Sequence, residues 1–118
     1  MPTEGMAIAR LALDAAMLRH QAIASNIANV NTAGYVPLRV NFEEQLASVS
    51  GNQGSGDKLQ GVTPFIEQES KPNGLTPQVA LDMEIVKLNM NTLHYQALLR
   101  AISRYTSIEV VAITEGSR

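Results

Sequence analysis

The chain has 118 residues, 45% hydrophobic and 17% charged, with a net charge of −2, two Phe, three Tyr, no Trp and no Cys. Absence of Cys excludes a disulfide framework, a thiolate nucleophile and Cys-based zinc or iron–sulfur sites, and the slight acidity argues against the positive field that nucleic acid requires. No apolar run approaches the roughly 20 residues of a bilayer-spanning helix, and the opening Met-Pro-Thr-Glu-Gly lacks the regions of a cleaved secretory signal, so neither membrane insertion nor such a signal is expected.

The first unit is placed at residues 1–35. A helix is expected from Thr3 or Glu4 to about Asn29, with Thr3 as N-cap and Glu4 near the positive end of the dipole. Met6, Ala9, Leu13, Ala16, Ile23, Ile27 and Val30 follow alternating steps of three and four, the spacing of a coiled-coil seam, with His20 at the missing position as a polar register marker. Ile8, Leu11, Ala15, Leu18 and Ala22 form a second series about 200° away. The helix is therefore apolar on two opposed faces.

It should end in Ser25-Asn-Ile-Ala-Asn-Val-Asn-Thr-Ala-Gly-Tyr35. Asn, Thr and Gly compete with helical hydrogen bonds; Gly34 can supply positive φ and Tyr35 can fold back, which makes an extended C-cap. A cap alone does not account for Asn26 and Asn29 inside the last turn, where Ala or Lys would serve better. Their amides can bond the following segment or a neighbouring subunit and so fix the angle at which the chain leaves the helix.

Residues 36–78 read as a short helix followed by a Gly/Pro-rich linker. Phe42, Leu46 and Val49 share one helix face, while the glycines and prolines between Gly51 and Pro77 predict loop, with at most a short strand near Phe65 and Ile66. The carboxylate pairs Glu43-Glu44 and Glu67/Glu69 read as solvated, because adjacent residues do not face one another on a helix.

The third unit, residues 79–118, is a second long helix. Thr76 as N-cap and Pro77 at the first helical position mark its start, no Gly or Pro follows until Gly116, and the periodicity extends to about Val111, roughly 50 Å of helix. Val79, Met83, Val86, Met90, Leu93 and Ala97 form one series; Leu81, Ile85, Leu88, Thr92, Tyr95, Leu99 and Ile102 form another. Arg100 and Arg104, one turn apart, read as complements to the dipole at the helix C-terminus.

These elements predict an all-α domain in which the two long helices pair as an antiparallel, coiled-coil-like hairpin. Leu13, Ile23, Ile27, Ile85, Leu88, Leu93, Tyr95, Leu99 and Ile102 are the expected helix-packing residues. Each helix buries one face against the other and leaves a second in water, which calls for neighbouring subunits. The alternative is a three- or four-helix bundle closed by the helix around Phe42 to Val49.

No constellation for catalysis emerges. His20 and His94 lack convergent carboxylates, Ser25, Ser103 and Ser107 lack a His–Asp partner set, and the Gly51–Gly61 stretch is not a phosphate loop between strand and helix. No enzyme, metal or cofactor is expected.

Asn26-Ile27-Ala28-Asn29-Val30-Asn31-Thr32-Ala33-Gly34-Tyr35 resembles the signature of the bacterial flagellar axial proteins, the rod, hook and hook-associated family, whose pattern is Asn-[Ile/Leu]-Ala-Asn-x-x-Thr-x-Gly-[Tyr/Phe]. Every fixed position is met, with Ala33 where the family often has Pro. Asp82-Met-Glu84, Leu88 and Asn91-Thr-Leu-His-Tyr-Gln-Ala-Leu98 are similar to the C-terminal end of the family's proximal rod members. The resemblance implies a structural subunit of the proximal rod whose terminal helices pack into a helical tube that transmits torque and conducts exported subunits. It implies Asn26, Ile27, Ala28, Asn29, Thr32, Gly34 and Tyr35 as the assembly motif. The implied partners are further copies, other rod subunits, the MS ring, the small basal-body adaptor protein and the export gate. The implied location is the periplasmic basal body, reached through the flagellar type III apparatus without a cleaved signal.

Overall fold

The structure, a computed structural model, describes residues 4–50, 56–70 and 74–116. They form α1 (Glu4–Ala28), β1 (Leu38–Asn41), α2 (Glu43–Ser50), a 3-10 turn (Gly56–Gly61), β2 (Phe65–Gln68) and α3 (Pro77–Gly116). The expected Thr3 cap and the start of the linker, residues 51–55, lie outside the described residues.

α3 begins as its sequence directs. Thr76 Oγ1 accepts the Val79 N–H at 3.3 Å, Thr76 O accepts the Ala80 N–H at 2.9 Å, and Pro77 occupies the position where a missing donor costs nothing. The helix passes Val111 and continues to Gly116, a 40-residue rod of about 60 Å that defines the long axis of a 65 × 29 × 15 Å molecule. Arg100 and Arg104 therefore lie well before its last turn, which contains no basic residue, and the dipole does not explain them.

The middle of the chain departs most from expectation. β1 pairs antiparallel with β2 in the register Leu38↔Gln68, Arg39↔Glu67, Val40↔Ile66, Asn41↔Phe65, so the fold is mostly helical with a small two-stranded sheet. Val40 points inward while Arg39 points to solvent, the alternation that one buried sheet face demands. α2 follows directly, with Glu43 and Glu44 at its positive end and Phe42 O accepting the Leu46 N–H at 2.9 Å. Gln45 ties α2 to the strand that returns: its Nε2 donates to Thr63 O at 2.9 Å and its Oε1 accepts the Thr63 N–H at 3.0 Å.

This segment covers the second face of α1. Ala15 and Ala22 pack with Val40, Phe42 and Val62 in one buried cluster, flanked by Leu11, Ala12, Leu18, Leu38, Leu46, Val49 and Ile66. The expectation that this face stays in water is corrected: the chain's own sheet and α2 occupy it. Each buried Val or Phe contributes on the order of 1.5–3 kcal/mol, enough to order segments that glycine and proline would otherwise loosen.

α1 and α3 lie side by side and run in opposite directions, Asn26 meeting Glu84 and Ala16 meeting Asn91. The stripe of α3 withdrawn from solvent is Leu81, Glu84, Leu88, Asn91, Tyr95, Leu98, Ile102 and Tyr105, in alternating steps of three and four. It shares Leu81, Leu88, Tyr95 and Ile102 with the expected series but replaces Ile85 by Glu84, Thr92 by Asn91 and Leu99 by Leu98. Ile85, Leu93 and Leu99 are exposed and do not pack against α1. Apolar pattern misassigns them because two polar residues take seam positions, where partners on α1 satisfy part of their hydrogen bonding. Of the expected packing residues on α1, Ile23 is buried and Leu13 and Ile27 are half-buried. His20 is exposed beside the seam, so it is not a buried register marker; Glu84 and Asn91 hold that kind of position.

Candidate functional site

The Asn-rich segment folds into a hub at the end of α1. Local bonds shape it first: the Asn29 N–H bonds Ser25 O at 3.0 Å, the Thr32 N–H bonds Asn29 O at 2.9 Å, and the Tyr35 N–H bonds Thr32 O at 3.2 Å. Asn29 Nδ2 donates to Ser25 O at 2.9 Å and Thr32 Oγ1 donates to Asn29 Oδ1 at 3.1 Å, so the two side chains replace the orphaned donors and acceptors of a helix end. Gly34 has φ of 75°, the left-handed conformation that lets the chain reverse. Ala28, Thr32 and Gly34 remain exposed, and Ile27 and Asn29 are half-buried.

The reversal brings Tyr35 and Leu38 back onto Asn26, whose side chain is 5% exposed. Its Oδ1 accepts the Tyr35 hydroxyl at 2.7 Å and the Leu38 N–H at 2.8 Å; its Nδ2 donates to Leu38 O at 3.0 Å and to Glu84 Oε1 at 3.0 Å. Every donor and acceptor of the amide is used. A flipped amide would set nitrogen against two donors, so the network fixes its orientation. Because the Tyr35 proton goes to Asn26, the Ser25 hydroxyl is the donor in its 3.1 Å bond to Tyr35. Toward Leu38 the amide acts as a strand would, bonding both N–H and C=O and finishing the free edge of β1. One side chain thus joins α1, the turn, the sheet and α3.

Glu84 is 5% exposed and answers this hub from α3. Its Oε1 accepts from Asn26 and, at 3.4 Å, from Lys87 Nζ, while its buried Oε2 has no partner among the described residues. Further along the seam, Asn91 Nδ2 donates to Ala16 O at 2.9 Å and its buried Oδ1 has no partner among the described residues. The sequence singled out Asn26 but did not identify Glu84 or Asn91, whose partners lie 58 and 75 positions away along the chain.

Among the described residues no group of three or more His, Asp or Glu could hold a metal ion, and no helix is long and apolar enough to cross a membrane. What the arrangement does is geometric: it fixes the angle between α1 and the sheet and the register of α3 along α1.

α3 presents its other face outward. Val79, Met83, Val86, Met90 and Leu93 are all exposed, Met90 and Leu93 by 65% and 67%, and Ile108, Val110, Val111 and Ile113 extend the apolar surface toward the C-terminus. The exposed Val79, Met83, Val86, Met90 and Leu93 recur at helical spacing, an apolar stripe of the kind that interaction sites use.

The segment that builds the hub is also the one that matches known proteins. Residues 6–35 match the family described as flagella basal body rod protein, a structural family. No curated protein matches the chain. Over residues 6–35, which build α1 and its Asn26 hub, the chain is similar to the flagellar basal body rod protein family.

Proposed function

We propose that the protein is a non-enzymatic subunit of the proximal rod, assembling through its terminal helices into a helical tube that transmits torque and conducts exported subunits. The exposed apolar series from Val79 to Leu93 carries this reading. Several Val, Met and Leu side chains held in water forgo about 25 cal/mol per Å² of burial, a deficit that neighbouring helices remove. In the tube, α1 and α3 act as a coiled-coil-like hairpin, and Asn26, Ile27, Ala28, Asn29, Thr32, Gly34 and Tyr35 set the geometry at which each hairpin meets the next. Resemblance of Asn91 to Leu98 favours a subunit of the FlgB type over the FlgC type. The partners are further copies and other rod subunits, with the MS ring, the basal-body adaptor protein and the export gate at the base. The flagellar type III apparatus exports the chain to the periplasmic rod.

A non-polymerising helical adaptor is the competing reading. Sedimentation and circular dichroism over a wide concentration range separate the two. A rod subunit forms larger species as concentration rises; a protein that stays a fully helical monomer throughout refutes the proposal. Loss of complete rods when the protein is deleted supports the subunit, and intact rods support the adaptor.

A further inference from the structure

α1, β1 and α3 enclose a groove of about 620 Å³ whose floor includes Glu84 and Asn91. Its charges are unevenly matched. Arg19 is held by both carboxylate oxygens of Glu43 at 2.8 and 3.1 Å, and Arg39 by Glu44 and Glu67 at 2.9 Å each. Both guanidiniums are thus engaged. Glu69, which also lines the groove, has no ion pair among the described residues, and buried Glu84 Oε2 has no hydrogen-bond partner among them. Lys87 reaches only the other oxygen of Glu84, at 3.4 Å, and is itself half exposed. The groove therefore holds carboxylate capacity that its own cations leave unused.

Unused cations lie on α3. Arg100 and Arg104 are exposed, one turn apart, form no ion pair among the described residues, and sit too far from the helix end for the dipole to account for them. Sixteen residues of helix separate Glu84 from Arg100, about 24 Å, so this pair cannot enter the groove of its own chain.

We propose that the groove receives the Arg100–Arg104 stretch of a second copy, the guanidiniums pairing with Glu69 and Glu84. This rests on the assembly reading and deepens it. Two different surfaces meet, so the contact is head to tail; every copy keeps a free groove at one end and a free arginine pair at the other, the arrangement that yields an open helical array. Paired guanidinium and carboxylate groups set the register of such a contact more than its strength.

The test is sedimentation velocity on the full chain at concentrations where it self-associates, with helicity checked for each variant. Glu69→Arg, and separately Arg100→Glu with Arg104→Glu, each weaken association at least about tenfold, the range of a close charge pair across an interface. An equimolar mixture of the two variants associates again, because the intact arginine pair of one meets the intact groove of the other and the reversed pair meets the reversed groove. Combining all three substitutions in one chain restores growth. Charge-reversed variants that associate like wild type, or a mixture that associates no better than either variant alone, overturn the proposal. Leu93→Lys separates this failure from failure of the assembly reading: if it abolishes association while the charge variants have no effect, the tube stands and the groove contact falls. Wild type that remains monomeric at every concentration overturns both.

Discussion

Replacing Asn26 by Ala removes four hydrogen bonds at once and leaves Leu38 N–H and C=O, the Tyr35 hydroxyl and Glu84 Oε1 without their partner. At about 1 kcal/mol net for each bond the loss is about 4 kcal/mol; water reaching half-buried Tyr35 and Leu38 returns part of it, giving an expected cost of about 3 kcal/mol. That is a large fraction of the stability of a domain of this size. Urea unfolding followed by helical circular dichroism, on dilute monomer, measures it. Asn26→Asp keeps both acceptors but loses both donors, and places a second carboxylate about 3 Å from Glu84, so it costs at least as much at neutral pH. A cost below about 1 kcal/mol for Asn26→Ala would refute the hub as a structural keystone.

Gly34→Val should cost about 1–2 kcal/mol from backbone strain alone, since φ is 75° and nothing lies within 4 Å of an added Cβ; Gly34→Asn should recover part of that, read as a melting-temperature shift. Phe42→Ala empties the centre of the cluster that orders the sheet and should cost about 3–5 kcal/mol in the same unfolding assay. Asn91→Leu removes an amide oxygen that has no partner along with one bond to Ala16, and should change stability by less than about 1 kcal/mol, in contrast to Asn26. Met90→Lys with Leu93→Lys should leave monomer unfolding unchanged within about 0.5 kcal/mol while abolishing concentration-dependent association in sedimentation.

Both long helices were legible because their start signals are local: Thr76 and Pro77 at α3, and Gly34 and the Asn residues after α1. Sequence pattern places a short strand near Phe65 and Ile66, where β2 lies, but misses its partner β1, although Val36, Leu38, Val40 and Phe42 alternate with Pro37, Arg39 and Asn41. Its order comes from tertiary burial on α1, which composition does not report. The α3 seam was half legible. Periodicity places Leu88, Tyr95 and Ile102 correctly, but puts Ile85 and Leu99 where Glu84 and Leu98 belong, because a polar residue is admitted to a seam only when its partner is already there. Those partners, Asn26 and Ala16 O, are contacts between distant parts of the chain and leave no trace in local pattern. The unusual character of Asn26 could be read directly; what it holds could not.

The two helices, similar in sequence design, end in different states, and the difference bears on assembly. α1 has α3 on one side and the sheet with α2 on the other, so its alanines are buried and its position is fixed by apolar contact. α3 is held to α1 through a seam whose two most buried residues are Glu84 and Asn91, each with one oxygen unsatisfied. Buried polar pairs of this kind specify register at a cost in stability. The hub thus dictates where α3 sits along α1 but supplies little of the energy that keeps it there. Val79, Met83, Val86, Met90 and Leu93 stay exposed in the isolated chain, and on the proposed assembly their burial by neighbouring helices supplies that energy. On the proposed assembly, register is set within the subunit and cohesion comes from its neighbours, a division that would let identical copies meet at one fixed geometry and gain most of their stability only when they do.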